Sequence, residues 1–208
     1  MTKIFLLLIL FSLTLGFRVW QGGIKWDVSV NDPFLYVKLC DPDKIMTNNL
    51  PDSDILAQFP LNKNIILQSI LDDINNLDTS YLQMMVYPDG LDTTHVITIC
   101  SGSSGALGAV GEAKVETDSS KITKCTISID PNKDNDAKAW MRTAAHEIGH
   151  CLGLMHPQDS IHSIMSYFSD RDFLRYQIDD LMGISFLYPS PSYDLKEKPT
   201  FGLKCSTK

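Results

Sequence analysis

HEIGHCLGLMH, residues 146–156, carries three histidines, a glutamate and a glycine at spacings that decide how the rest of the chain is read. On an α-helix, residues four apart lie one above the other on one face, so His146 and His150 present two imidazole nitrogens to one point. Glu147, the next residue round the helix, leans over that point. A straight helix would carry His156 about 15 Å beyond His146. The chain must therefore turn, and Gly153, which accepts the positive φ that ends helices at little cost, supplies the place. That turn swings His156 back under the other two. Three neutral imidazoles with a fourth position open are the ligand set of a catalytic zinc ion rather than a closed structural one, and Glu147 is placed to act as a base beside it. A buried helix with merely hydrogen-bonded histidines would have no use for a glutamate and three histidines converging around a glycine.

The stretch resembles the metzincin signature HExxHxxGxxH. Five fixed residues at that spacing arise by chance in a chain this long with a probability on the order of 10⁻⁵, so the resemblance is specific. The other large HExxH class takes a later glutamate as its third ligand, and here the only glutamate after Glu147 is Glu197, in a polar tail. Ser163-Ile-Met165-Ser-Tyr167 follows His156 and resembles the Met-turn of metzincins, which implies that Met165 forms an apolar floor under the histidines. The short gap from His156 to Met165 is similar to that of matrixins. Tyr167 instead resembles the tyrosine of astacins and serralysins that ligates zinc and stabilises the tetrahedral intermediate; a wall or packing role is its alternative. His162 belongs at a rim and not among the ligands.

Upstream, Lys25-Trp26 and Phe34 to Leu39 read as a first strand, and Leu61 to Leu77 as an amphipathic helix with Ile66, Ile70, Ile74 and Leu77 on one stripe. Strands follow at Tyr81 to Val86 and His95 to Cys100. Ala106 to Glu116, interrupted by Gly108 and Gly111, reads as a bulged or edge strand, and Thr126 to Asp130 as a last short strand. The active-site helix spans about Ala137 to Leu152 with Asp136 as N-cap, and Gln177 to Tyr188 reads as a closing helix. The acidic run Asp130 to Asp136 is better read as a capped turn than as a Ca2+ loop, because its spacing lacks the closing glutamate of the hand-type loop.

This order is similar to the catalytic domain of the matrixin branch of the metzincins. The resemblance implies an α+β, zincin-like fold: a twisted five-stranded mixed sheet, mostly parallel with one antiparallel edge strand, a backing helix, the active-site helix and a C-terminal helix. It further implies a zinc endopeptidase whose extended protein or peptide substrate pairs with the edge strand, placing Ala106, Leu107, Gly108 and Ala109 at the substrate. Cys40-Asp-Pro-Asp43 is similar to the inhibitory cysteine motif of matrixin pro-segments, but it closes the first strand and too little chain precedes it to form a pro-domain. Only His95 lies where matrixins place a second, structural zinc site, so one Zn2+ is expected. A catalytically silent peptide-binding module is the alternative; it would show a missing ligand or base, and none is missing.

The 208 residues suffice for one domain, 21–190, between a leader and a polar tail, 191–208. A net charge of −7 and a pI near 5.1 argue against nucleic acid or an anionic membrane surface as partner, and a monomer is expected. Residues 1–20 read as a signal peptide: Lys3 precedes an apolar run, Ile4 to Leu15, too short to span a bilayer, with cleavage expected near 16–22. That makes the chain secreted or periplasmic, the alternative being an N-terminal anchor. Of the five cysteines, Cys100 and Cys125 form the expected disulfide, Cys151 is expected as a small buried residue, and Cys40 and Cys205 are left unassigned.

Overall fold

The computed structural model describes residues 17–191 except 89, 104, 106–108, 135, 158–159 and 168–172. Residues 1–16 of the expected leader, residues 192–208 of the tail with Cys205, and Ala106, Leu107 and Gly108 of the expected substrate strand lie outside the described residues. In chain order the elements are β1 (Arg18–Val19), β2 (Lys25–Trp26), β3 (Phe34–Leu39), β4 (Ile45–Met46), a single 3-10 turn (Ile55–Gln58), β5 (Leu61–Asn62) and α1 (Lys63–Asn75). Then come β6 (Gln83–Val86), β7 (Val96–Ser101), β8 (Gly111–Asp118), β9 (Lys121–Ile129), α2 (Ala137–Leu152), β10 (Leu154–Met155) and α3 (Ile178–Leu187).

The main sheet runs β6, β3, β7, β9, all parallel, with β8 antiparallel on the far side of β9. This is the expected five-stranded mixed sheet with its antiparallel edge. The two-residue β2 adds a sixth member by pairing with the start of β9, so Lys25-Trp26 does not continue into β3 as the sequence reading had it. Period-two alternation puts Leu35, Val37, Ile97, Ile99, Ile127 and Ile129 into one core with the Ile66, Ile70 and Ile74 stripe of α1.

Several boundaries move for identifiable reasons. α1 begins at Lys63, where Asn62 caps the Ile65 N–H (3.0 Å), and ends before Leu77 because the Asn75 amide turns to bond both backbone groups of Met84. β6 starts late because Ser80 and Tyr81 are engaged elsewhere: Tyr81 N–H donates to Tyr188 O (3.0 Å), and Ser80 bridges to Pro189. β8 starts at Gly111 rather than Ala106. β9 begins at Lys121, not Thr126, since a tight turn with Ser119 at φ 55° folds it directly back on β8.

The expected Cys100–Cys125 disulfide is replaced by two others, Cys40–Cys100 and Cys125–Cys151, and the register shows why. Cys125 stands opposite Ile97, so Cys100, three residues along, points to the other face of the sheet. On that outer face the residue beside Cys100 is Cys40, just beyond β3. On the inner face Cys125 meets Cys151 of α2, with 5.7 Å between their Cα atoms. Cys151 is buried as expected, but as half of a crosslink adjoining His150. No helix among the described residues is long and apolar enough to cross a membrane.

Candidate active site

α2 spans the expected residues because both of its ends are specified. Asp136 accepts the Ala139 N–H (2.8 Å) at the start. Gly153 ends the helix in the left-handed conformation, φ 103°, where any Cβ would also strike the Ile24 carbonyl. Beyond that glycine β10 runs back and pairs with β1, carrying His156 toward the helix.

The three histidines meet as the spacing requires. His156 Nε2 lies 3.0 Å from His146 Nε2 and 3.0 Å from His150 Nε2. The other nitrogens of the two helical rings face backbone carbonyls, His146 Nδ1 to Ile164 O (2.8 Å) and His150 Nδ1 to Leu154 O (3.0 Å). A carbonyl only accepts, so the protons sit on Nδ1 and both Nε2 lone pairs aim inward. His156 can donate to at most one of them, which leaves a converging set of lone pairs that a cation would satisfy. Four-coordinate zinc at 2.0–2.1 Å would place its nitrogen ligands about 3.3 Å apart, close to what the rings already show. Burial is the main reason the rings stay neutral: His150 is pushed down to about 3 and His156 to about 4, with the neighbouring histidines adding to the effect, and His146 is lowered too.

Glu147 is buried beside them. Burial lifts its carboxyl to about 7, partly offset by the Ala113 N–H that it accepts, and Glu112 pushes it further up. The strand can approach this closely because residue 111 has no side chain. A Cβ there would lie 2.5 Å from Thr143 Cγ2 and 3.0 Å from Glu147 Cγ. Met165 is buried against the helix, its sulfur facing Gly149. The Tyr167 ring sits over His156 with centroids 4.0 Å apart and is 73% exposed. His162 is exposed and outside the histidine cluster, and His95 packs edge-on against Trp26 at 6.2 Å. Ala109 lines the cavity near the site, its carbonyl accepting from Lys133 Nζ (2.9 Å). In the acidic run before α2, Asp130 accepts the Asn132 N–H (3.0 Å) while Asp136 caps the helix.

Sequence reasoning missed the support beneath the site. Asp180 of α3 is 2% exposed and accepts from the Ile164 N–H (2.8 Å), the Gln177 N–H (2.8 Å) and the Ser163 hydroxyl. It thus anchors the peptide whose carbonyl orients His146. Tyr176 OH donates to Ala145 O (2.8 Å), Trp26 Nε1 to Cys151 O (2.7 Å) and Tyr188 OH to Leu152 O (2.9 Å), fixing α2 from three sides. The helix that carries Asp180 was visible in the sequence; which amides its carboxylate would reach was not.

The histidines, Glu147, Tyr167 and the edge strand enclose a cavity of about 670 Å³. A matrixin family model matches residues 89–189, just under half of the chain, and that stretch contains every ligand candidate and Glu147. No curated protein sequence matches. Among solved structures, a chain of the GM1-bound form of the ECX AB5 holotoxin is 12% identical with a TM-score of 0.52, covering 83% of this chain and 88% of that one. High choriolytic enzyme 1, a hatching-enzyme zinc protease from the medaka fish Oryzias latipes, is 12% identical with a TM-score of 0.43, covering 82% of this chain and 97% of that one. The match over residues 89–189, the mixed sheet with its antiparallel edge and the histidine cluster together make this a matrixin-like domain of the metallopeptidase type.

Proposed function

We propose that this chain is an exported, zinc-dependent endopeptidase that cleaves extended segments of protein substrates. The observation that carries the reading is the convergence of three inward-facing imidazole nitrogens beside a buried glutamate at the free edge of a strand. His146, His150 and His156 would hold one Zn2+, which when bound acidifies a coordinated water toward a pKa of about 7 and polarises a carbonyl. Glu147 takes the proton as water attacks the scissile carbonyl and returns it to the leaving amine. Burial raises this carboxyl to about 7 in the metal-free chain, and a bound cation would draw it down toward the ionised form that a base needs. Tyr167, over His156, supplies a hydroxyl for the oxyanion, and Met165 keeps the floor of the site dry and apolar.

β8 supplies the docking edge. Val110 O accepts from Asp130 N–H (2.9 Å), so antiparallel alternation turns the backbone groups of Gly111 and Ala113 away from β9; the Ala113 N–H is taken by Glu147, which leaves the Gly111 groups and the Ala113 carbonyl for an incoming peptide. Ala106, Leu107, Gly108 and Ala109 are proposed to contact the substrate just ahead of that edge. A leader removed at the early end of the expected window, near residue 16, leaves β1 paired with β10, and the single catalytic domain then reaches residue 190 and works as a monomer, with 191–208 as a tail. The two disulfides fit an oxidising compartment. The test is proteolysis of a denatured protein and of a peptide library by the purified, zinc-loaded chain, with and without a chelator. Chelator-sensitive cleavage at internal bonds is expected; a zinc-replete chain that cuts nothing would overturn the reading.

A further inference from the structure

The Cys125–Cys151 disulfide joins the middle of β9 to the last turn of α2, and both cysteines are fully buried. The chain between them, a separation of 26 residues, contains His146, Glu147 and His150. Cys40–Cys100 closes a separation of 60 residues that contains none of the three, and Cys40 is exposed. One crosslink thus encloses two candidate metal ligands and the base, and the other stands apart from them. Helix ends fray because their last carbonyls lack partners within the helix. His150 stands in the last turn of α2, where fraying would carry its imidazole away from His146. Three contacts hold that turn: the disulfide to β9, Trp26 Nε1 on Cys151 O (2.7 Å) and Tyr188 OH on Leu152 O (2.9 Å). Of these the disulfide alone is covalent, and it alone depends on the redox state of the surroundings. Cys125 also stands opposite Val115 of β8, so the same crosslink ties α2 to the strand pair that bears the docking edge.

We propose that oxidation of Cys125 and Cys151 completes the metal site, so that the chain gains tight zinc binding only after it reaches an oxidising compartment. The two thiols lose two protons and two electrons to a disulfide of the glutathione type, which leaves as two thiols. A crosslink that holds His150 in place before the ion arrives spares the ion the cost of ordering that turn. The coupling is reciprocal: zinc stabilises the disulfide by the same factor by which the disulfide tightens zinc. Once formed, the buried bond is shielded from thiols in solution, whereas the exposed Cys40 leaves the other bond open to them. The proposal rests on the three-histidine zinc reading, and its test separates the two.

Zinc affinity is measured by competition with a chromophoric chelator, with circular dichroism on each sample. The samples are the oxidised parent, Cys40→Ala with Cys100→Ala, and Cys125→Ala with Cys151→Ala. We expect the first two to bind one zinc ion alike and the third to bind it about tenfold or more weakly while still folded. Cys125→Val with Cys151→Ala, which refills the buried volume, takes its place should the alanine pair not fold. A second measurement needs no variant: the parent is equilibrated in glutathione buffers with and without zinc, and free thiols are located by alkylation and mass spectrometry. Zinc should shift the Cys125–Cys151 equilibrium toward the disulfide by the factor seen in affinity and leave Cys40–Cys100 unmoved. Equal zinc affinity with and without the Cys125–Cys151 bond, an equal loss on removing Cys40–Cys100, or a glutathione equilibrium indifferent to zinc would overturn the proposal and leave the zinc reading intact. An oxidised parent that binds no zinc would overturn that reading, and this proposal with it.

Discussion

On the proposed mechanism Glu147 is the base, and in the metal-free chain burial raises its carboxyl to about 7 while the imidazoles around it are held neutral. Glu147→Gln preserves shape and removes the base. It should leave zinc content unchanged and lower kcat by roughly 10²- to 10⁴-fold, the span typical of a lost general base; steady-state kinetics beside metal analysis checks both. Tyr167→Phe removes only a hydroxyl from a ring that stays over His156. If the hydroxyl holds the oxyanion, kcat should fall by about 10²-fold with KM little changed; a change in KM alone would make Tyr167 a wall of the cleft. The convergence of His146, His150 and His156 beside Glu147 was legible in the sequence because helical spacing and one glycine determine where they point. Asp180, Gly111 and Ala113 were not, since their roles come from contacts between elements far apart in sequence.

Among elements, α2 could be read to its ends, as could Phe34 to Leu39, but β8 and β9 could not. A helix carries its limits locally, in Asp136 and Gly153, whereas β8 and β9 owe theirs to each other, and the polar stretch from Thr117 to Lys124 that joins them carried no strand signal. The disulfides were misread for the same reason, because pairing follows register and face, which emerge only once the sheet is assembled. Gly153→Ala would combine a left-handed backbone with a Cβ driven into the Ile24 carbonyl. It should destabilise by about 1–3 kcal/mol and weaken metal binding by displacing His156. Gly22→Ala, at φ 83° but in open space, is the control that carries backbone strain alone. Thermal melts of the two variants with and without zinc separate the effects. Replacing both Cys125 and Cys151 by Ala unties α2 from β9 and should cost about 2–5 kcal/mol by denaturant titration.

At the scale of the whole molecule, the site makes folding depend on pH and on the metal. In the zinc-free protein, His150 and His156 titrate near 6.5 when unfolded but near 3 and 4 when folded. Between those values the unfolded state binds more protons, so these two groups make stability rise with pH and lose it as pH falls through that window. Glu147 acts oppositely between about 4.5 and 7, where the folded state holds the extra proton. Urea melts of the zinc-free protein from pH 4 to 7 should therefore give a steeper rise for Glu147→Gln than for the parent, and a parallel rise would contradict the shifts. Metal analysis of the dialysed parent chain and of His156→Ala bears on the centre most directly. We predict one zinc ion per parent chain and essentially none in His156→Ala, with the variant still folded by circular dichroism. A parent chain that retains no zinc after reconstitution, or a His156→Ala chain that keeps a full equivalent, would contradict the three-histidine site.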